Sequence, residues 1–237
     1  MIRERFRFRE TIATILADDP GHVGAAKRGI LASRQELEAH IARDPFFAAT
    51  FDPYEPDSDS VTVRRMAEAA KRAGVGPMAA VAGAIAWAGV EAMQEAGAAF
   101  GVIDNGGDIA FIADRPLRIG VHAGEARSSD RIAFLVPPQE RILGVCTSSA
   151  TVGPSISFGI ADAVTIFSRD VALSDAWATA VCNAIRPGNH SVLDAMDPSE
   201  VCGAFAIMGD VSVRWGRLPP LVPALVDGQL ISAGDRL

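Results

Sequence analysis

An α+β fold, with a mixed and largely antiparallel sheet flanked by helices, follows from three features of this 237-residue sequence. Up to about residue 97, apolar side chains recur at helical spacing in three long stretches. Beyond that point the chain breaks into short β-like runs punctuated by Gly, Pro and Asp, with one further helical stretch before a closing hairpin. Hydrophobic residues make up 49% of the chain and charged residues 22%, enough apolar mass for the core of a single domain, or for two closely joined lobes.

The elements follow in order. Phe6, Phe8, Ile12 and Ile15 alternate with Arg7, Arg9, Glu10 and Thr11, which predicts one half-buried opening strand. After the Pro20-Gly21 break, Ile30, Leu31, Leu37 and Ile41 are spaced as one face of a helix over Val23–Arg43, closed by Pro45. Residues 51–60, with Pro53, Pro56 and four acidic side chains, read as a surface connection. Two helices follow, Val61–Ala73 and Pro77–Gly97, split by Gly74-Val75-Gly76 with Pro77 in the favourable first turn. The small residues Ala79 to Ala86 in the second would let a strand, a helix or a ligand approach its backbone closely. Predicted strands then run over Phe100–Ile103, Ile109–Ala113, Leu117–His122, Ile132–Val136 and Ile142–Cys146, arranged as antiparallel neighbours. A polar loop from Thr147 to Gly159 leads to a strand at Ala163–Phe167 and a helix over about Asp175–Arg186. Gly209-Asp210 closes a final hairpin between Ala204–Met208 and Val211–Trp215.

Composition narrows the function classes. The net charge of −7 opposes the basic footprint of a nucleic-acid-binding protein, so no nucleic acid is expected as partner. The most apolar stretch, Met78 to Met93, falls short of the ~20 residues that span a bilayer, and no membrane partner is expected. The N-terminus mixes charge with phenylalanine rather than presenting an apolar run, which places the chain in the cytoplasm. Cys146, Cys182 and Cys202 lack paired spacing, and the four histidines lack an HExxH arrangement, so neither a disulfide framework nor a zinc hydrolase is indicated.

Three motifs carry candidate chemistry. In IDNGGDIA, the glycines Gly106 and Gly107, beside Asn105 and Asp108, permit a nest of amides for an anion such as phosphate; Asn105-Gly106 equally marks a hairpin turn, and the two readings are compatible. In CTSSATVGPS, Thr147, Ser148, Ser149, Thr151 and Ser155 offer hydroxyls to phosphate or ribose, or form an ordinary exposed loop. No GxSxG elbow surrounds these serines. In SDAWAT, Asp175 and Thr179 stand at i and i+4 and can face one hard cation, while the plainer reading has Ser174 capping the helix and Asp175 complementing its positive end. Asp108 and Asp162 are further acids for such a centre, and His122 at a strand end is a candidate acid or base. Arg127 and Arg131 can reach a phosphate, or form a charged hairpin tip.

The succession GVGPMAAVAGAIA, NGGDI, CTSS, SFGIADAV and SDAWAT resembles the ApbE-like superfamily over nearly the whole chain, and within it a less-understood ApbE-related branch. That superfamily includes FAD:protein FMN transferases, which take FMN from FAD with Mg²⁺ and attach it to a protein threonine. The resemblance implies an ApbE-like fold, FAD or FMN as ligand, and Mg²⁺ held by Asp175 and Thr179. It also implies that Gly106 and Gly107 approach the ligand and that Thr147 and Ser148 line its pocket. Ala82 stands where the transferases carry the lysine of a lysine-glycine pair, and Ser157–Asp162 replaces a histidine-containing HIIDP-like segment. The expected function is therefore binding of a flavin-type or other phosphate-bearing small molecule, with metal-assisted phosphoryl or nucleotidyl transfer in cofactor metabolism. The alternative is a ligand-binding or sensor protein that has lost transferase activity. A third reading, a structural subunit of a homo-oligomer, rests on the small-residue helix Pro77–Gly97.

Overall fold

The structure, a computed structural model, describes residues 1–124, 126, 129–150 and 159–224. Thr151, Ser155, Ser157, Phe158 and Arg127, all singled out above, lie outside the described residues.

The chain opens with two strands, β1 (Ile2–Phe8) and β2 (Thr11–Ala17), where a single strand is expected from sequence. They pair antiparallel across Arg9-Glu10, with Arg9 at a left-handed φ of 52°. The alternation runs through this turn without a glycine or proline, so the reversal leaves no mark in the pattern. Helix α1 (Pro20–Arg43) starts on Pro20, with Asp19 as the cap accepting from Gly21 N, so Pro20-Gly21 begins the helix rather than breaking the chain before it. A short α2 (Phe46–Ala49) and the exposed connection precede α3 (Val61–Ala73), capped by Ser60 and ended at Gly74 in the left-handed region. A 3₁₀ turn, Pro77–Ala80, leads into α4 (Val81–Glu95), so the helix predicted from Pro77 bends at its first turn.

Strands β3 (Gly101–Asn105), β4 (Asp108–Ala113), β5 (Leu117–Gly120), β6 (Ile132–Val136), β7 (Gln139–Ser148) and β8 (Ala163–Ser168) follow. Helix α5 (Val171–Ala184) then precedes β9 (Val201–Met208), β10 (Val211–Gly216) and β11 (Leu221–Pro223). Eight strands make one antiparallel sheet in the order β1-β2-β3-β4-β7-β8-β9-β10, and β11-β6-β5 make a second. The predicted strands are therefore not all neighbours: β4 pairs directly with β7, and β5 with β6 leaves the main sheet for the smaller one.

This topology buries the main sheet on both faces, which is why β8 is apolar and buried at nearly every position. One face carries Ala13, Ile103, Ala110, Ile166 and Ala204 against α1, α4 and α5, and α3 packs on those helices. The other carries Val102, Phe111, Val145, Phe167 and Phe205 into a second core, against Phe134 of β6. Small residues face the helices, which approach closely, and aromatic ones fill the space under the smaller sheet. The small residues of α4 are used in this inner packing, against α1, α5, β3 and β4. No single helix among the described residues is long and apolar enough to cross a membrane.

Candidate functional site

The β3–β4 hairpin reverses at Gly106-Gly107, with φ of 74° and 104°, and Asn105 pairs with Asp108 across it. The turn is thus centred one residue later than the Asn105-Gly106 dipeptide suggests, at the two positions where only glycine is unstrained. Gly107 N donates to Asp104 Oδ1 at 2.9 Å, and Asn105 Nδ2 donates to Ala82 O at 3.1 Å, so the turn is fastened to the start of α4.

Thr147 and Ser148 are the last residues of β7 rather than the first of a loop. Being consecutive on a strand, they point to opposite faces of the sheet. Thr147 Oγ1 is 2.9 Å from Thr165 Oγ1, on the face that carries Val145 and Phe167. Ser148, opposite Val164, is on the helix face. Ser149, just beyond, is 9% exposed.

Helix α5 begins four residues before the predicted start. Asp170, not Ser174, is its cap, accepting from Leu173 N at 2.9 Å. Ser174 is fully buried in the second turn, and its hydroxyl donates to Val171 O at 2.8 Å. Asp175 consequently sits inside the helix, 7% exposed, where it accepts from Gly83 N at 2.8 Å rather than facing the N-terminal amides of its own helix. A side chain on Gly83 would put its Cβ 2.8 Å from Asp175 Cβ and 2.8 Å from Val171 O, so glycine is what allows α4 and α5 to meet here.

A cleft of about 1600 Å³ wraps around the end of the main sheet at this turn. Its walls include every candidate ligand-binding residue, Asn105, Gly106, Gly107, Asp108, Thr147, Ser148 and Ser149, and both candidate metal ligands, Asp175 and Thr179. Thr50, Gly76 and Ala79 extend it on the helix side, and Arg118, His122 and Ala133 on the side of the smaller sheet. Asp162 is not part of it: its carboxylate accepts from Gly209 N at 2.6 Å and steadies the β9–β10 turn. Arg131 does not line it either.

The helix side of the cleft holds buried acid. Burial pushes Asp175 up to about 7, against hydrogen bonds from the Gly83 and Ala82 amides. Burial, then the charges of Asp175 and Asp104, push Asp108 well above the carboxylate range, although Thr147 N donates to its Oδ1 at 3.2 Å. The Cys146 thiol between them is raised by burial and by both carboxylates. No lysine or arginine is among the groups that act on this cluster. Two carboxylates pushed toward their neutral form chiefly by burial, together with the Thr179 hydroxyl on the same cleft, supply oxygen donors that suit a hard cation. Among the described residues no three His, Cys, Asp or Glu side chains converge as a ready-made metal cage. The set fits Mg²⁺ as that ion is commonly held, by one or two carboxylates with the remaining positions filled by water and ligand phosphate.

Sequence reasoning did not single out Asp104, Cys146 or the Gly83 amide. The only trace of the last is the small-residue run around Ala82-Gly83, which signals close approach without naming what approaches.

This fold is shared with solved ApbE flavin transferases. The structure matches the apo form of Pseudomonas stutzeri flavinyl transferase ApbE with a TM-score of 0.51 and 15% identity, over 99% of this chain and 98% of that one. It matches the H257G mutant of flavin transferase ApbE from Vibrio cholerae with a TM-score of 0.60 and 12% identity, over 90% and 96%. A family model described as "AbpE bacteria" matches residues 5–204. The chain is 68% identical to a UPF0280 protein of Methanoregula boonei over 100% of both chains, and 62% identical to one of Methanoculleus marisnigri over 99% of this chain and 97% of the other. The chain belongs to this ApbE-related family of UPF0280 proteins.

Proposed function

We infer that the cleft binds a flavin-type dinucleotide or another phosphate-bearing small molecule, and that a Mg²⁺ ion carried by Asp175 and Thr179 assists phosphoryl or nucleotidyl transfer there. The observation that carries this reading is the convergence of Gly106 and Gly107 with Asp108, Asp175 and Thr179 on one cleft. Amides of a two-glycine turn favour an anion, and buried acids without a basic partner favour a cation. A nucleotide phosphate with its metal satisfies both. The solved structures that share the fold are flavin transferases, which supports a flavin as the first ligand to try.

The residues would divide the work. The Gly106 amide would meet phosphate oxygens while Gly107, bonded to Asp104, holds the turn in shape, and Thr179 with the two carboxylates would hold a cation that offsets charge developing on the phosphoryl group. Asn105, tied to Ala82 O, keeps the turn seated against α4.

Calorimetry with FAD, FMN and ADP, each with and without Mg²⁺, tests the reading. Binding that requires Mg²⁺ and is lost in Asp175→Ala is the expected result. Absence of binding for all three nucleotides in both conditions would sink it.

The second reading, ligand binding without catalysis, is favoured by one feature. Ala82, at the mouth of the cleft, brings no positive charge to the phosphate position. Under that reading FAD binds and is recovered intact.

A further inference from the structure

His122 follows the end of β5 and lines the cleft, the only one of the chain's four histidines to do so. Its Nδ1 lies 3.0 Å from Asp130 Oδ1. Ser129 supports the pair: its Oγ donates to Asp130 Oδ2 at 3.4 Å and accepts from Ala123 N at 2.9 Å. The loop that carries both residues is closed by backbone bonds, Val121 N to Ile132 O and Asp130 N to Val121 O, each 3.0 Å. Asp130 adopts a left-handed φ of 61°, one of two non-glycine residues among those described to do so. Such a conformation costs roughly 1 kcal/mol and persists where the surroundings impose it. Here it brings a carboxylate onto one nitrogen of an imidazole whose ring forms part of the cleft wall.

That arrangement has a chemical consequence. A carboxylate at Nδ1 keeps the proton on that nitrogen and leaves the lone pair on Nε2, at the far side of the ring from Asp130. His122 is 24% exposed at its side chain and lines the cleft, so the imidazole is reachable from it.

We propose that His122 is a proton-transfer residue of the cleft and that Asp130 is its positioning residue. The inference rests on the dinucleotide reading given above. For FAD with water as co-reactant, Nε2 takes a proton from the water as its oxygen bonds to the FMN-side phosphorus. The bridging P–O bond breaks, and its electron pair leaves with the AMP phosphate. The imidazolium then returns its proton to solvent, and the products are FMN and AMP.

The test compares wild type, His122→Gln and Asp130→Asn in FAD cleavage with Mg²⁺, with ADP affinity measured on the same preparations by calorimetry. The expected result is release of AMP by wild type and a fall in kcat of about 100-fold or more in His122→Gln, with KM and ADP affinity within threefold of wild type. Asparagine tolerates the left-handed backbone, so Asp130→Asn keeps the loop. It should lower kcat roughly 10- to 100-fold without moving KM, and should change the ¹⁵N tautomer signature of His122. Unchanged kcat in His122→Gln overturns the proposal, as does a parallel change in kcat and KM. FAD that binds but is never cleaved also overturns it, leaving the binding reading in place. If neither FAD nor ADP binds to wild type, the binding reading itself has failed.

Discussion

The two faces of the main sheet meet the cleft with opposite chemistry. On the helix face, Asp108, Cys146 and Asp175 are buried together, and both acids are pushed toward their neutral form chiefly by that burial. On the face toward the smaller sheet, the polar groups are matched in pairs, Thr147 with Thr165 and His122 with Asp130. The first face holds acid at the cost of burial. The second pairs these groups with one another and forms the opposite wall. A two-glycine turn stands at the sheet's end between them, with no side chain to separate the two walls.

The largest expected effect tests whether the smaller sheet is part of this wall or an appendage. Phe134 is fully buried, edge-on to Phe167 at 4.9 Å and to Phe205 at 5.6 Å, and so joins the two sheets. Phe134→Ala should cost about 3–5 kcal/mol in urea unfolding. A loss below about 1 kcal/mol would mean that the second core contributes little and that the comparison of two packed faces is wrong.

Gly83→Ala probes the helix face. The added methyl meets Asp175 and the Val171 carbonyl at 2.8 Å, so about 1–3 kcal/mol of stability should be lost, and Mg²⁺-dependent nucleotide binding should weaken with it. Normal stability with normal binding would show that the contact between α4 and α5 does not set the position of Asp175.

The acids give the helix face a pH dependence of definite sign. A carboxyl group whose pKa is raised on folding binds more protons in the native than in the unfolded state across the interval between the two values. Its contribution is therefore fully present at low pH and is lost as pH rises from the ordinary aspartate value of 3.8 through about 7 for Asp175. In metal-free buffer the melting temperature of Asp175→Asn should fall less than that of wild type over this interval. Mg²⁺ should raise the wild-type value more at pH 8 than at pH 5, because the cation competes with the proton. Equal slopes in the two proteins, with no pH-dependent response to Mg²⁺, would contradict the account of the helix face.

How much of this was legible in the sequence depended on the range of the interaction. The helices over Val61–Ala73 and Val23–Arg43 show in periodicity and in flanking Gly and Pro, which are local, although the second starts at Pro20, and the closing turn at Gly209-Asp210 shows in its own dipeptide. The Arg9-Glu10 turn was hidden because an unbroken alternation continues across it. The start of α5 was misplaced because Ser174 and Asp170 both have the chemistry of a cap, and Val171-Ala172-Leu173 carries no periodicity to decide between them. The motifs pointed to residues that line one cleft, yet not to their division between two faces. Thr147 and Ser148 are adjacent in sequence, and their separation follows only once the pairing of β7 with β8 is known. The bond from Gly83 to Asp175, spanning 92 positions, has no local signature at all.

The smallest expected effect concerns that division. Thr147→Val removes one partner of the Thr147–Thr165 pair and should cost about 0.5–1.5 kcal/mol. Ser148→Ala, on the other face, should cost less than Thr147→Val in the same thermal melt. The reverse order would place the two side chains differently from the strand alternation.

The central claim is that the Gly106-Gly107 turn is where a phosphate-bearing ligand is held, between the two faces. ¹⁵N-resolved titration of the protein with ADP in the presence of Mg²⁺ reads it directly. The account predicts that the Gly106 and Gly107 amides shift among the most, in step with those of Ser148 and Ser149, and that Asp175→Ala abolishes the response. Saturable binding that leaves both glycine amides unmoved would contradict it.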